Sequence, residues 1–164
     1  MILYIVRHGI ALDRTDPKCP PEAESPLTAK GLRKTRLAAL GVRALGAEPG
    51  IMITSPYLRA AQTAEIFAEA LGLSPEKIRT SEALKPAANP ADAVKEISSL
   101  KIKETMCFGH APQVDLMIAH LAGARSPFTE LKKAGVACFE DAAPHGKWRL
   151  RWLLSANILR ELAG

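Results

Sequence analysis

A chain of 164 residues that is 48% hydrophobic and 24% charged can bury one substantial core, and its length leaves little room for a second domain of ordinary size. No apolar run approaches the roughly 18 residues of a membrane-spanning helix, and Arg7 arrives before any signal-peptide layout can form. The net charge of +5 favours anionic partners without marking a nucleic-acid binder. Cys19, Cys107 and Cys138 are too few and too scattered for a disulfide framework or a zinc site; Cys107 and Cys138 sit in apolar runs and read as buried thiols. The expectation is one cytoplasmic domain spanning residues 1–164, with no membrane contact.

Ile2–Val6 is a continuous, partly β-branched apolar run, the pattern of a strand covered on both faces in a parallel sheet. It ends abruptly in Arg7, His8 and Gly9. Asp13–Pro26, with four prolines and several charges, reads as a loop. Thr28 can cap a helix running to about Leu45, ended by Gly46–Gly50. Between Ala29 and Ala47 this helix carries Lys30, Arg33, Lys34, Arg36 and Arg43 with no acid among them. That is either a solvated face or a docking surface for an acidic or phosphorylated partner.

Ile51–Ile53 is a short second strand. Ser55 followed by Pro56 reads as an N-cap and first helical residue, and the helix behind them sets Ala60, Ala64, Phe67 and Ala68 on one face before Gly72 stops it. Lys77–Ser81 is a third strand leading into Glu82. Asn89 and Pro90 start a helix to about Leu100, Thr105–Phe108 is a buried strand, and Pro112 opens a helix through Leu121. Gly135–Glu140 and Trp148–Leu153 read as an antiparallel pair around a Pro-His-Gly turn. Helices alternating with strands imply an α/β fold.

Three segments share one layout: VRHG at Val6–Gly9, TSPYLR at Thr54–Arg59 and FGHAP at Phe108–Pro112. In each, a short apolar strand ends in basic or imidazole residues and a helix follows. Their spacing of roughly 50 residues leaves room for the crossovers that parallel strands require. Parallel strands point their carboxyl ends the same way, so Arg7, His8, Arg59 and His110 can converge where open α/β sheets place ligands. Two guanidinium forks, two imidazoles and the amides of a helix start make a pocket for a tetrahedral dianion. Ser55 could add its hydroxyl, although capping alone would explain it. The flanking arginines would repel a metal cation. His120, in mid-helix, and His145, in a turn, read as structural groups.

The RHG of Arg7–Gly9, the SPYLRAAQTAE of Ser55–Glu65 and the GH of Gly109–His110 resemble the histidine phosphatase superfamily, which includes the phosphoglycerate mutases. RHGIA, SPLTAKG at Ser25–Gly31 and LKKAG at Leu131–Gly135 are most similar to its small SixA-type branch, the phosphohistidine phosphatases. The resemblance covers nearly the whole chain. It implies a three-layer α/β/α sandwich with a mostly parallel sheet, an antiparallel C-terminal strand, and no metal or other cofactor. It makes His8 the nucleophile and makes Arg7, Arg59 and His110 the phosphoryl-binding groups.

For such a nucleophile the attacking nitrogen must be neutral, with the other ring nitrogen fixed by an acceptor such as the Gly9 carbonyl. A protonated His110 and the arginines would stabilise charge on the phosphoryl oxygens. An ester substrate needs a general acid, for which Glu82 is the candidate by analogy and Asp13 a second; phosphohistidine, with a better leaving group, needs less help. The short connection from Leu84 to Pro90 leaves little chain for a lid, which suits a phosphoryl group presented on a protein. The readings in play are a phosphatase for phosphohistidine on a protein, such as a histidine phosphotransfer domain, a phosphatase for small or aryl phosphoesters, and a catalytically silent phosphate-binding module.

Overall fold

The computed structural model describes residues 1–142 and 147–164. The turn expected at Pro144–Gly146, with His145, lies outside the described residues.

Six strands form one sheet: β1 (Ile2–Arg7), β2 (Ile51–Thr54), β3 (Ile78–Thr80), β4 (Glu104–Gly109), β5 (Val136–Ala142) and β6 (Lys147–Leu154). Their order is β3-β2-β4-β1-β5-β6. The first four are mutually parallel, β5 runs antiparallel to β1, and β6 runs antiparallel to β5. The helices are α1 (Ala29–Ala44), α2 (Leu58–Leu71), α3 (Pro90–Ser99), α4 (Gln113–Leu121) and α5 (Ala156–Leu162). This is the expected α/β/α arrangement. Among the described residues, no helix is long and apolar enough to cross a membrane.

The unbroken apolar runs of the strands follow from burial on both faces. Tyr4, Val6, Met52, Met106 and Phe108 join Ala38, Val42, Phe67 and Leu159 in one cluster beneath α1, α2 and α5. Leu3, Ile5, Ile53 and Cys107 face the other way, against Val94, Ile97, Met117 and Ile118 of α3 and α4. Phe67 and Phe108 meet edge to face at 5.4 Å, a geometry contributing about 0.5–1.5 kcal/mol beyond area burial. Both core cysteines are buried, and desolvation pushes the Cys107 thiol up to about 12.

Register decides what collects at the carboxyl edge. Arg7 lies opposite Gly109, and Thr54 opposite Phe108, so β1, β4 and β2 end level with one another. The chain then leaves each strand at the same height, with His8 N–H bonded to Gly109 O at 3.0 Å and Ser55 N–H to Phe108 O at 3.0 Å.

Several boundaries differ from the sequence reading. Thr28 caps α1 as expected, through Gly31 N–H, and Asn89 caps α3. Ser55 is not the N-cap of α2. That helix starts at Leu58 behind Tyr57, and the Ser55 hydroxyl accepts the Tyr57 N–H, ahead of the helix, at 3.3 Å. The loop after β1 contains a 3-10 turn at Glu22–Glu24, and a second follows β3 at Glu82–Leu84. Helix α5, capped by Ser155, was absent from the sequence reading; it packs so closely on α1 that a Cβ on Gly41 would lie 1.9 Å from Leu159 O.

Candidate active site

The carboxyl edge of β1, β4 and β2 gathers four of the residues singled out in the sequence. The His8 and His110 rings lie 5.1 Å apart between centroids, and Arg59 Nε donates to His8 Nε2 at 3.3 Å. Arg7 projects from the last position of β1 and donates through Nη1 to Leu131 O at 2.8 Å. Arg59 is the second residue of α2, which keeps it at the sheet edge.

The tautomer of His8 is fixed. Its Nδ1 lies 2.7 Å from Gly9 O, and a carbonyl only accepts, so Nδ1 carries the hydrogen and Nε2 the lone pair. Burial, followed by the fields of Arg59, Arg7 and Lys133, lowers the ring to about 4, although the Gly9 bond opposes this. His8 is therefore neutral at pH 7. His110, only 1% exposed, is lowered to about 3 by desolvation and then by His8, Arg59 and Arg7. The protonated His110 of the sequence reading does not hold for the protein alone; an anion arriving beside it would have to raise its affinity for a proton.

Ser55 is fully buried, and its Oγ lies 2.9 Å from His110 Nε2. The hydroxyl serves the imidazole as well as the Tyr57 amide, and the Tyr57 ring meets His110 edge-on at 5.1 Å. Because that amide is occupied by Ser55, the start of α2 offers fewer free N–H donors than expected. Among the described residues, Arg7 Nε and His110 Nδ1 are buried polar atoms without a partner. Groups in that state carry their desolvation cost until a partner reaches them.

Arg7, His8, Asp13, Arg14, Arg59 and Lys133 line a cavity of about 560 Å³. His110 stands beside His8, off this wall. Of the two candidate acids, Asp13 is on the wall, but it is exposed and its carboxylate accepts from Thr15 N and Oγ1, bonds that hold its pKa below the usual range. Glu82 faces solvent, is ion-paired with Lys85, and is not on the wall. The connection between Glu82–Leu84 and α3 is short, but residues 10–14 and Ser25 of the loop after β1 form one side of the cavity, and Glu22 of the same loop, off this wall, holds Arg59.

Glu22 was missed in the sequence. Its carbonyl accepts from Arg59 Nη1 at 2.6 Å, while its carboxylate takes Arg59 Nη2 at 3.1 Å and Arg14 Nη1 at 3.1 Å. Lys133 was missed too, although the LKKAG stretch held it. The Arg7 anchor is itself supported: Asp115 Oδ1 accepts from Leu131 N–H at 2.8 Å and Thr129 Oγ1 at 2.9 Å, fixing the loop whose Leu131 carbonyl holds Arg7. Thr63 Oγ1 receives the Gly9 N–H at 3.0 Å. No signal in a single sequence links Asp115 or Thr63 to a site so far away along the chain.

Residues 3–87 match the family model described as histidine phosphatase superfamily, branch 1. Over 156 residues the chain is 27% identical to the phosphohistidine phosphatase SixA of Escherichia coli strain K12, covering 92% of this chain and 93% of that one. An uncharacterized protein of a Picosynechococcus strain is 48% identical over 77 residues, a match spanning 46% of each chain and so less than half of that relative. In fold, a structure of the protein histidine phosphatase SixA complexed with tungstate superposes with a TM-score of 0.86 at 24% identity, over 97% of this chain and 99% of that one. Fold and matched segments agree: the chain belongs to the histidine phosphatase superfamily, and its fold is that of the SixA type.

Proposed function

We propose that this protein is a phosphatase that hydrolyses phosphohistidine on a protein through a phospho-His8 intermediate. His8 Nε2, its lone pair exposed once Arg59 turns to the substrate, attacks phosphorus as the bond to the leaving imidazole breaks. The substrate's phosphoimidazole, protonated by solvent at its distal nitrogen, departs with the bonding pair as neutral imidazole. Water then attacks phospho-His8, releasing phosphate and restoring the neutral ring. Arg7 and Arg59 hold the non-bridging oxygens, and His110 adds a third donor through Nδ1, with Ser55 fixing its other nitrogen.

One observation carries the choice of substrate class: the carboxylate on the described cavity wall, Asp13, is held ionised by Thr15 and is a poor proton donor. Glu82, in its ion pair with Lys85, is no better placed. An alkoxide leaving group needs a proton in the transition state, whereas an imidazole of ordinary pKa about 6.5 leaves with far less assistance. The wall also favours an anion over a metal, since four of its side chains, Arg7, Arg14, Arg59 and Lys133, are cationic.

The test compares kcat/KM for a histidine-phosphorylated protein, an aryl phosphate and an alkyl phosphate. Phosphohistidine should be the best substrate and the alkyl ester the worst, with Asp13→Asn and Glu82→Gln changing the first rate by less than about threefold. An aryl ester preferred over phosphohistidine would favour a small-molecule phosphatase. Binding of phosphate without turnover of any of the three would leave a phosphate-binding module.

A further inference from the structure

A second cavity, of about 420 Å³, adjoins the first and shares Arg7, Ile10 and Lys133 with it. Its other charged walls are Lys34 of α1 and Lys132 and Glu130 of the loop before β5. Four cations thus face one carboxylate, and Glu130 is already paired with Lys132 at 2.6 Å. Among the described ion pairs neither Lys34 nor Lys133 has a carboxylate partner, and Lys34 is half-buried. A partly desolvated cation without a counter-charge draws anions to it.

The same contacts divide the basic stretch of α1. Arg36 is paired with Glu69 of α2 at 2.7 Å, and Arg43 donates to Ala70 O at 3.4 Å. Lys34 is the member that reaches a cavity beside the phosphoryl site. Arg36 and Arg43 are thus engaged with α2, and the contribution of the stretch to this cavity is a single lysine joined by two from another part of the chain.

We propose that this second cavity binds an acidic side chain of the protein substrate, presented next to its phosphorylated residue. The inference rests on the protein-substrate reading above and adds a specificity subsite to it. The continuity through Arg7 and Lys133 would let one segment place its phosphoryl group on His8 and a neighbouring carboxylate among Lys34, Lys132 and Lys133. The positive wall then discriminates between substrates by charge.

Two histidine-phosphorylated peptides, identical except for glutamates or glutamines beside the histidine, provide the test. Wild type should prefer the acidic peptide by about tenfold in kcat/KM, mainly through KM, and the preference should shrink as salt is raised. The double variant Lys34→Glu, Lys132→Glu should lose that preference while hydrolysing p-nitrophenyl phosphate within about twofold of wild type. Equal rates on the two peptides in wild type, or a preference kept by the variant, would overturn the subsite. Calorimetric binding of the unphosphorylated peptides to His8→Ala protein reads the cavity alone. Selective, Lys34-dependent binding without phosphohistidine turnover would remove the substrate reading and leave the subsite standing; binding without charge selectivity would remove the subsite.

Discussion

Arg59 Nε donates to His8 Nε2 across 3.3 Å, while its Nη1 and Nη2 are held by the carbonyl and carboxylate of Glu22 at 2.6 and 3.1 Å. One guanidinium therefore both covers the nucleophile and is shared with a carboxylate that competes with any incoming phosphoryl group. Glu22→Gln keeps an amide oxygen for Nη2 and removes the competing charge, so inorganic phosphate should inhibit about threefold more tightly. Glu22→Ala removes the anchor, and the loosened Arg59 should lower kcat by about tenfold. Inhibition constants and rates measured on both variants check this; two variants indistinguishable from wild type would show that Glu22 does not position Arg59.

His8 and His110 make stability depend on pH. In the unfolded chain an imidazole binds its proton near pH 6.5, whereas in the folded protein burial lowers the two to about 4 and about 3. Between those limits the unfolded state holds more protons, so their contribution is complete above about pH 6.5 and is lost as the pH falls toward the folded values. Each ring adds a slope of up to ~1.4 kcal/mol per pH unit. Urea midpoints at about pH 7 and about pH 5 should fall with acid in wild type and fall less in His110→Gln. Equal falls in the two proteins would show that His110 is not buried in its neutral form.

Gly9 is required by a neighbour. A Cβ there would lie 2.2 Å from Thr35 Oγ1, with Leu27 Cδ2 next at 3.2 Å. Gly9→Ala should destabilise by ~1–3 kcal/mol, the range for overpacking a filled site. Because the first clash is with a side-chain oxygen, Thr35→Ala should restore most of the loss. Gly31 offers the control: its Cβ would meet the Ile10 carbonyl at 2.0 Å, a backbone atom that no side-chain truncation removes. Denaturation midpoints of Gly9→Ala with and without Thr35→Ala decide the matter, and an absence of rescue would place the strain elsewhere.

Asp115 reaches the site through two links, Asp115 to Leu131 and Leu131 to Arg7. Asp115→Ala should leave the Leu131 N–H unpaired, lower stability by ~1–3 kcal/mol, and raise KM more than it lowers kcat, because Arg7 is loosened and His8 is untouched. Asp115→Asn retains the Oδ1 acceptor and should restore KM. A KM unchanged in Asp115→Ala would show that the loop holds Arg7 without it.

The elements and the central four residues were legible because their signals are local. Strand ends that run into Arg7 and His8, Ser55 and His110 can be read from adjacent positions; after β2 and β4 a helix starts four residues on, whereas α1 follows β1 only after a long loop. The Nδ1 contact of His8 involves its own neighbour, Gly9. Ser55 was misread because Ser-Pro fits a helix cap as well as it fits this site; its partner, His110, lies 55 positions away. Glu22 looked like one charge among many in a proline-rich loop, and only the folded loop brings it to Arg59. The basic face of α1 looked uniform because the chain does not show that Arg36 and Arg43 are turned toward α2. Helix α5 is short and follows a strand without a glycine or proline break, so its start was absorbed into the tail.

The most direct test of the central claim is to trap the intermediate. Wild-type protein mixed with a histidine-phosphorylated protein in the presence of EDTA, quenched within a single turnover and digested, should yield a phosphorylated peptide containing His8, and His8→Ala should yield none and turn over at least about a thousandfold more slowly. Phosphate released by wild type with no label on that peptide, or turnover retained by His8→Ala, would contradict a reaction that passes through His8.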